Sequence, residues 1–476
     1  MNFRKLVKSA TFNTWFSNGV TLLNGLIAIP IVVTKLTVEE INVWFLFSAV
    51  VTISQGVLFG FSGTFTRFIS YSFGGVKINE FLTLKDKLSL GFSSTYDKGE
   101  LSRILSLLIR LYTILSLVQL ILLAIGGYFA LMDPISKMDS PHLGWISWTI
   151  VILSSSFNLY LGSYKVFLEG INRVDLTQRI IGITNLIGLV LIIVVLFSYP
   201  SLLSIVLVYQ FILIAASLIT AIYYKRTFNQ LGIKALESRF DKSLFIVVWD
   251  SAWKSGITVV ISAVVKNISS ILVAQLFSPQ AASPFLLTKR VFDILERFTS
   301  ATFQSKIPVI SRLRGRGDFE RLIPTILRVQ YLSFGVFILG YISLLFFGDK
   351  ILALIDSNVG LGSIELIMLF SISAFLNRWS GFGLAISNQA NQVIEHINAT
   401  LVLIVFFSVF FIGYESWGVL IFPVAQTIAI LFTVPLLIKR VYKTMGTTFL
   451  RFEKNLLLPL LSVVVLINII YYILFT

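Results

Sequence analysis

The 476-residue sequence has no cysteine, two histidines and few charged residues, 13% of the total. Without cysteine there are no disulfides, thiolate metal sites or iron–sulfur clusters. His142 and His396 lie far apart on unlike segments, so a histidine-rich metal site is not expected and no cofactor is assigned. A soluble domain carries about 25% charged residues, so about half the usual charge is missing. A signal-peptide pattern is also lacking. Arg4, Lys5 and Lys8 precede a long apolar block with no clear small-residue cleavage site, which reads as a retained first helix.

What is present is apolar and aromatic: 56% hydrophobic residues and 42 phenylalanines. They fall into blocks of about twenty residues, the length that crosses a ~30 Å hydrocarbon core at ~1.5 Å per residue. The blocks are 14–34, 42–63, 104–132, 145–168, 177–197, 201–223, 246–276, 281–308, 323–347, 364–387, 397–413, 417–438 and 456–475, thirteen in all. This is the pattern of an all-α, polytopic membrane protein. The N-terminus and every second loop hold 26 of the 38 Lys and Arg, and the opposite loops only Lys35, Lys137 and Lys350. By the positive-inside rule the N-terminus lies in the cytoplasm. The formal charge of +15 is thus mainly a topology device, and nucleic acid is not an expected partner. The opposite loops are short, the longest being 133–144 and 348–363, and none could house an enzyme active site.

The chain also repeats itself. Gly99-Glu100-Leu101-Ser102-Arg103 opens the third span and Gly317-Asp318-Phe319-Glu320-Arg321 the ninth, an offset of 218 that also relates Arg110 to Arg328. Asn172-Arg173-Val174 and Asn391-Gln392-Val393 follow the fourth and tenth spans at an offset of 219. Lys35-Leu36 with Phe45-Leu46 is echoed by Gln275-Leu276 with Phe285-Leu286, 240 residues on. These matches, in order and at equivalent spans, imply two parallel six-helix bundles, 1–224 and 225–440, with an extra C-terminal span in 441–476. Folds so built place a substrate between the halves near the midplane, which points to a transporter and not an enzyme.

Several stretches also resemble one family. Pro30-Ile31-Val32-Val33-Thr34-Lys35-Leu36-Thr37-Val38-Glu39-Glu40-Ile41-Asn42-Val43-Trp44 is similar to the first hairpin of polysaccharide flippases, and Phe61-Ser62-Gly63-Thr64-Phe65-Thr66-Arg67-Phe68 to the end of their second span. Pro308-Val309-Ile310-Ser311-Arg312-Leu313 followed by Gly317-Asp318-Phe319-Glu320 resembles their loop between the eighth and ninth spans. The family is the O-antigen (Wzx-type) flippases of the multidrug/oligosaccharidyl-lipid/polysaccharide exporter superfamily. The resemblance implies a bacterial inner-membrane protein that moves undecaprenyl-pyrophosphate-linked oligosaccharide units from the cytoplasmic to the outer leaflet. Membrane lipids and the polysaccharide polymerase machinery are the further partners it implies. A peptidoglycan-precursor flippase and a cation-coupled multidrug exporter of the same superfamily are the alternatives.

Nine cations lie within the spans. Each costs about 2.5–3.5 kcal/mol at a helix centre on insertion scales, so a lipid-facing, unpaired position is excluded for the deep ones. Arg110, Lys165 and Arg328 sit near span ends and can snorkel. Lys289, Asp293, Glu296 and Arg297 share one face of the eighth span, either as a self-neutralising ladder or as part of an anion path. With Arg290 this span holds three cations against two acids. Asp250 can pair with Lys254, leaving Lys266 without a local acid, and Arg378 also has none. The candidate substrate-binding residues are therefore Lys266, Lys289, Arg290, Arg297 and Arg378, with Lys254 and Arg67. Guanidinium binds pyrophosphate bidentately and lysine binds it as a point charge. Trp145, Trp148, Trp249, Trp253 and Trp417 read as interface anchors, with sugar stacking open for Trp253 and Trp379.

Overall fold

The computed structural model describes residues 9–73, 98–233, 241–304, 306, 310, 313, 318–389, 395–444 and 448–475. The helices are α1 (Ala10–Lys35), α2 (Val38–Phe73), α3 (Lys98–Ser136), α4 (Pro141–Gly170), α5 (Val174–Ser198), α6 (Leu202–Leu231) and α7 (Lys242–Leu276). They continue with α8 (Pro279–Gln304), α9 (Phe319–Leu354), α10 (Ile364–Gln389), α11 (Glu395–Trp417), α12 (Ile421–Thr444), the short α13 (Phe449–Asn455) and α14 (Leu457–Phe475). Thirteen of these helices, all but α13, have 19 residues or more, and no strand occurs among the described residues. The protein is an all-helical, multi-pass membrane protein.

Seven described stretches are long and apolar enough to cross a membrane by length and composition, and one of them, Ile397–Leu436, covers both α11 and α12. Other helices carry more charge. Helix α8 holds Lys289, Arg290, Asp293, Glu296 and Arg297, which only neighbouring helices or a polar path can accommodate at membrane depth.

Local sequence sets the helix ends. At the first turn, Thr37 Oγ1 accepts the Glu40 amide at 3.3 Å and Glu40 Oε2 accepts the Thr37 amide at 3.1 Å, a reciprocal cap. The other oxygen of Glu40 accepts the Leu202 amide at 2.8 Å, fastening this turn to the start of α6. The repeated acid–arginine motif is a helix opening in both copies. Asp318 caps α9 by accepting the Arg321 amide at 3.2 Å, and Arg321 lies 3.7 Å from the same carboxylate. In the first copy Arg103 lies 3.8 Å from Glu100. Arg103 also reaches Asp241, whose carboxylate caps α7 by accepting the Leu244 amide at 3.0 Å.

The chain divides into two compact units, Met1–Asn267 and Ile268–Thr476. In the first, α1 lies along α5 and α4 along α6, while α3 packs on α2 and α4. Asn24 donates to the Asn185 carbonyl at 3.1 Å and Asn185 to Thr21 Oγ1 at 3.4 Å, tying α1 to α5. Phe65, Leu108, Phe167 and Val248 centre an apolar core near one end of this unit. Towards the other end of α4, Trp148 is buried at 2% exposure, its ring 5.0 Å from that of Phe47, and is not an interface anchor. A Cβ on Gly127 would sit 2.2 Å from this indole, so glycine makes the room. Trp249 and Trp417 are exposed, as an anchor requires. On the outer side of α3, Ile114, Leu117, Val118, Ile121, Leu122 and Ile125 form an apolar row 39–59% exposed, the surface a hydrocarbon solvent stabilises.

In the second unit α8 packs on α9 and α10, α10 on α12, and α11 on α12. Phe285, Phe292, Phe334, Phe337, Phe375 and Phe382 fill the centre. Helix α14 buries only Val464 and Asn468. Asn468 donates to Ser371 Oγ at 3.3 Å and to the Met368 carbonyl at 3.4 Å, and accepts from the Tyr341 hydroxyl. Tyr471 adds a bond to the Leu345 carbonyl at 3.2 Å. One buried amide thus holds the last span to α9 and α10.

Candidate functional site

The charges of the second unit gather on α8 and at its junction with α9 and α10. Lys289 and Asp293, one turn apart, form an ion pair at 3.3 Å with side chains only 13% and 17% exposed. Arg290 and Glu296 are half-buried and Arg297 is exposed on the same helix. Arg378, on α10, is 7% exposed. Its Nη2 donates to Ser333 Oγ of α9 at 2.8 Å and to the Thr299 carbonyl of α8 at 3.4 Å. Ser333 itself donates to that carbonyl at 2.8 Å, so three helices meet at one polar node. Arg378 Nε has no hydrogen-bond partner among the described residues. Glu296 stands on α8 one turn before Thr299. The structure thus brings Arg378 to the charged helix within one unit and leaves part of its guanidinium unused.

The other candidates stand elsewhere. Lys266 is exposed on α7. The side chains of Lys254 and Arg67 lie outside the described residues. Arg110 and Arg328 are exposed, and Lys165 lies 3.8 Å from Glu169 one turn on, positions that fit snorkelling near a helix end.

A second polar centre was not evident from sequence. Glu453, on α13, is 3% exposed. Its Oε1 accepts the Tyr442 hydroxyl at 2.6 Å and the Trp379 indole N–H at 3.0 Å. Trp379, a candidate for sugar stacking, is fully buried and spends its only donor on this carboxylate. Burial pushes the Glu453 carboxyl above the usual carboxylate range, against the hydrogen bonds that lower it. The sequence signal was an acid between apolar Phe452 and basic Lys454, which by itself reads as a surface residue.

At the middle of the first unit the polar groups are neutral. Ser154 bonds Gln210 at 2.8 Å and Ser217 bonds Asn158, both between α4 and α6. Deeper along the same pair of helices, the rings of Tyr164 and Tyr224 stack with centroids 4.5 Å apart.

No family model and no curated protein matches the sequence. Solved structures do match. An inward-facing multidrug resistance MATE family transporter of the MOP superfamily superposes with a TM-score of 0.67 at 13% identity, over 90% of this chain and 96% of that one. The fold is that of the MOP-superfamily transporters. The lipid II flippase MurJ in an inward closed conformation matches with a TM-score of 0.60 at 15% identity, over 98% of this chain and 97% of the other. The MATE transporter VcmN of Vibrio cholerae matches at 0.57 and 13%, over 95% and 98%. These matches cover 90–98% of the chain, with the charged node in its second half and the neutral amides in its first.

Proposed function

We propose that the chain is a flippase for undecaprenyl-pyrophosphate-linked oligosaccharides, moving repeat units from the cytoplasmic to the outer leaflet of the bacterial inner membrane for surface polysaccharide of the O-antigen type. The observation that carries the reading is the set of cations at membrane depth, above all Arg378 with its partly unused guanidinium beside α8. A pyrophosphate crossing hydrocarbon needs fixed positive charge along its way. Lys289, Arg290, Arg297, Arg378 and Lys266 supply it, and Lys254 and Arg67 extend the same role. The polyprenyl tail stays in lipid against apolar helix faces such as the outer row of α3. Helices 1–6 and 7–12 act as the two halves, and polymerase machinery takes up the exported units. The N-terminus faces the cytoplasm, so reporter fusions after Gln230 and after Ser140 should signal cytoplasm and exterior respectively.

The likeness to MurJ favours one second reading, a peptidoglycan-precursor flippase, whose cargo shares the lipid pyrophosphate. A cation-coupled multidrug exporter is less well supported, because no Asp or Glu stands near the middle of the first six spans. A clean deletion separates the three. The flippase reading expects loss of long surface polysaccharide and accumulation of lipid-linked units on the inner leaflet, with growth and drug tolerance retained. A lethal block in wall synthesis would favour the second reading, and drug sensitivity with normal polysaccharide the third.

A further inference from the structure

The internal repeat sets up a comparison inside the chain. Asn158 on α4 and Asn377 on α10 are 219 residues apart, the same offset as Asn172 and Asn391. In each unit this asparagine bonds a residue of the helix packed alongside. Asn377 accepts from Gln426 of α12 at 3.1 Å, and Asn158 accepts from Ser217 of α6. The next residue differs in kind: Arg378 in the second unit, Leu159 in the first. The two units share the amide at this position of the repeat, and only the second adds a charge beside it.

In the first unit the amides are not exhausted by their serines. Asn158 and Gln210 each commit one end to a serine, and the other polar atom of each has no partner among the described residues. Both side chains are half-buried, as are Tyr160 and Tyr164 below them on α4. The hydroxyls of Tyr160 and Tyr164 lie 3.4 Å apart. A carboxamide end with no partner costs several kcal/mol in hydrocarbon, so this face is not stable against lipid tails. Clasping two helices needs only the bonded ends. The neighbouring charges, Lys165 and Glu169, pair with each other at 3.8 Å and leave the face neutral.

We infer that the α4–α6 face of the first unit, Asn158 and Gln210 with Tyr160 and Tyr164, contacts the carbohydrate of the cargo. Amides donate to and accept from sugar hydroxyls without demanding charge, and tyrosine offers a flat apolar face with a hydroxyl at its tip. This neutral face takes the neutral part of the ligand. This inference rests on the flippase reading.

Because the chain has no cysteine, single replacements report on each position without background. Asn158→Cys and Gln210→Cys should react with a charged methanethiosulfonate in membrane vesicles about tenfold faster than Ile121→Cys on the apolar row of α3, since only a hydrated thiol ionises. Tyr160→Cys reads the same face if either amide replacement lowers the protein level. Membranes containing complete lipid-linked oligosaccharide should slow the reaction several-fold, and membranes from cells blocked at the first sugar transfer, containing only the polyprenyl phosphates, should not. Labelling as slow as at Ile121→Cys overturns the inference, and so does equal protection by the sugar-free lipid. If the wild-type chain in liposomes moves no lipid-linked oligosaccharide, the flippase reading itself fails. If it does and these cysteines stay unreactive, only the carbohydrate face is lost.

Discussion

Replacing Arg378 by methionine separates a structural arginine from one that serves transport. The side chain has one short bond, to Ser333, and one long bond, to the Thr299 carbonyl. Hydrogen bonds with a charged partner contribute about 1.5–3 kcal/mol each, the long one less. Against this stands the desolvation of a guanidinium 7% exposed, which costs several kcal/mol. These terms nearly cancel, so Arg378→Met, which refills the volume, should change stability by no more than about 2 kcal/mol in either direction. Arg378→Ala leaves a cavity between α8, α9 and α10 and should cost about 2–5 kcal/mol. Thermal unfolding of the detergent-solubilised protein measures both, and restoration of surface polysaccharide in a deletion strain measures transport. Methionine should keep the fold and abolish transport, whereas Arg378→Lys keeps the charge without the bidentate fork and should retain part of the activity. Wild-type transport by Arg378→Met would refute the role of the cation. Failure of the methionine variant to accumulate would show that the guanidinium is a net structural stabiliser.

Three further outcomes follow from other sites. The folded chain holds the Glu453 proton to higher pH than the unfolded chain does, because burial raises this carboxyl. Its contribution to stability is therefore full below the unfolded value and falls as pH rises through the folded one. Glu453→Gln should flatten this slope in thermal melts taken across pH, and Glu453→Ala should destabilise at every pH by orphaning the Trp379 and Tyr442 donors, about 1–3 kcal/mol for each group left unsatisfied. Asp241 behaves with the opposite sign: bonds from Ser243, the Leu244 amide and Arg103 hold its carboxyl below the usual range. Asp241→Asn keeps an oxygen that can cap the Leu244 amide but removes the titrating charge, and should make the acid side of the stability profile shallower, as acid titrations would show. Asn468→Leu removes the amide between α14 and its neighbours and should cost about 0.6–1.7 kcal/mol, the range for hydrogen bonds between membrane helices, seen as a lower melting temperature with the helical content unchanged.

Some of this protein is written along the chain and some is not. The thirteen long helices were readable because the bilayer imposes one length and one solvent preference on each segment, a constraint that acts residue by residue. The acid–arginine openings of α3 and α9 were readable because their partners stand within four residues. The α8 charges were visible as a face, since helical spacing alone aligns Lys289 with Asp293. Whether Arg378 stands in lipid, in water or against Ser333 was not readable, because Ser333 is 45 positions away and meets it only when α9 packs against α10. The same holds for Glu453, whose partner Trp379 lies 74 residues off, and for Trp148, whose place near a span end hid a buried ring over Gly127. Hydropathy determines which segments enter the membrane, a local free energy of transfer. Which polar groups meet there depends on the angles and depths at which whole helices pack, and only the tertiary structure decides those.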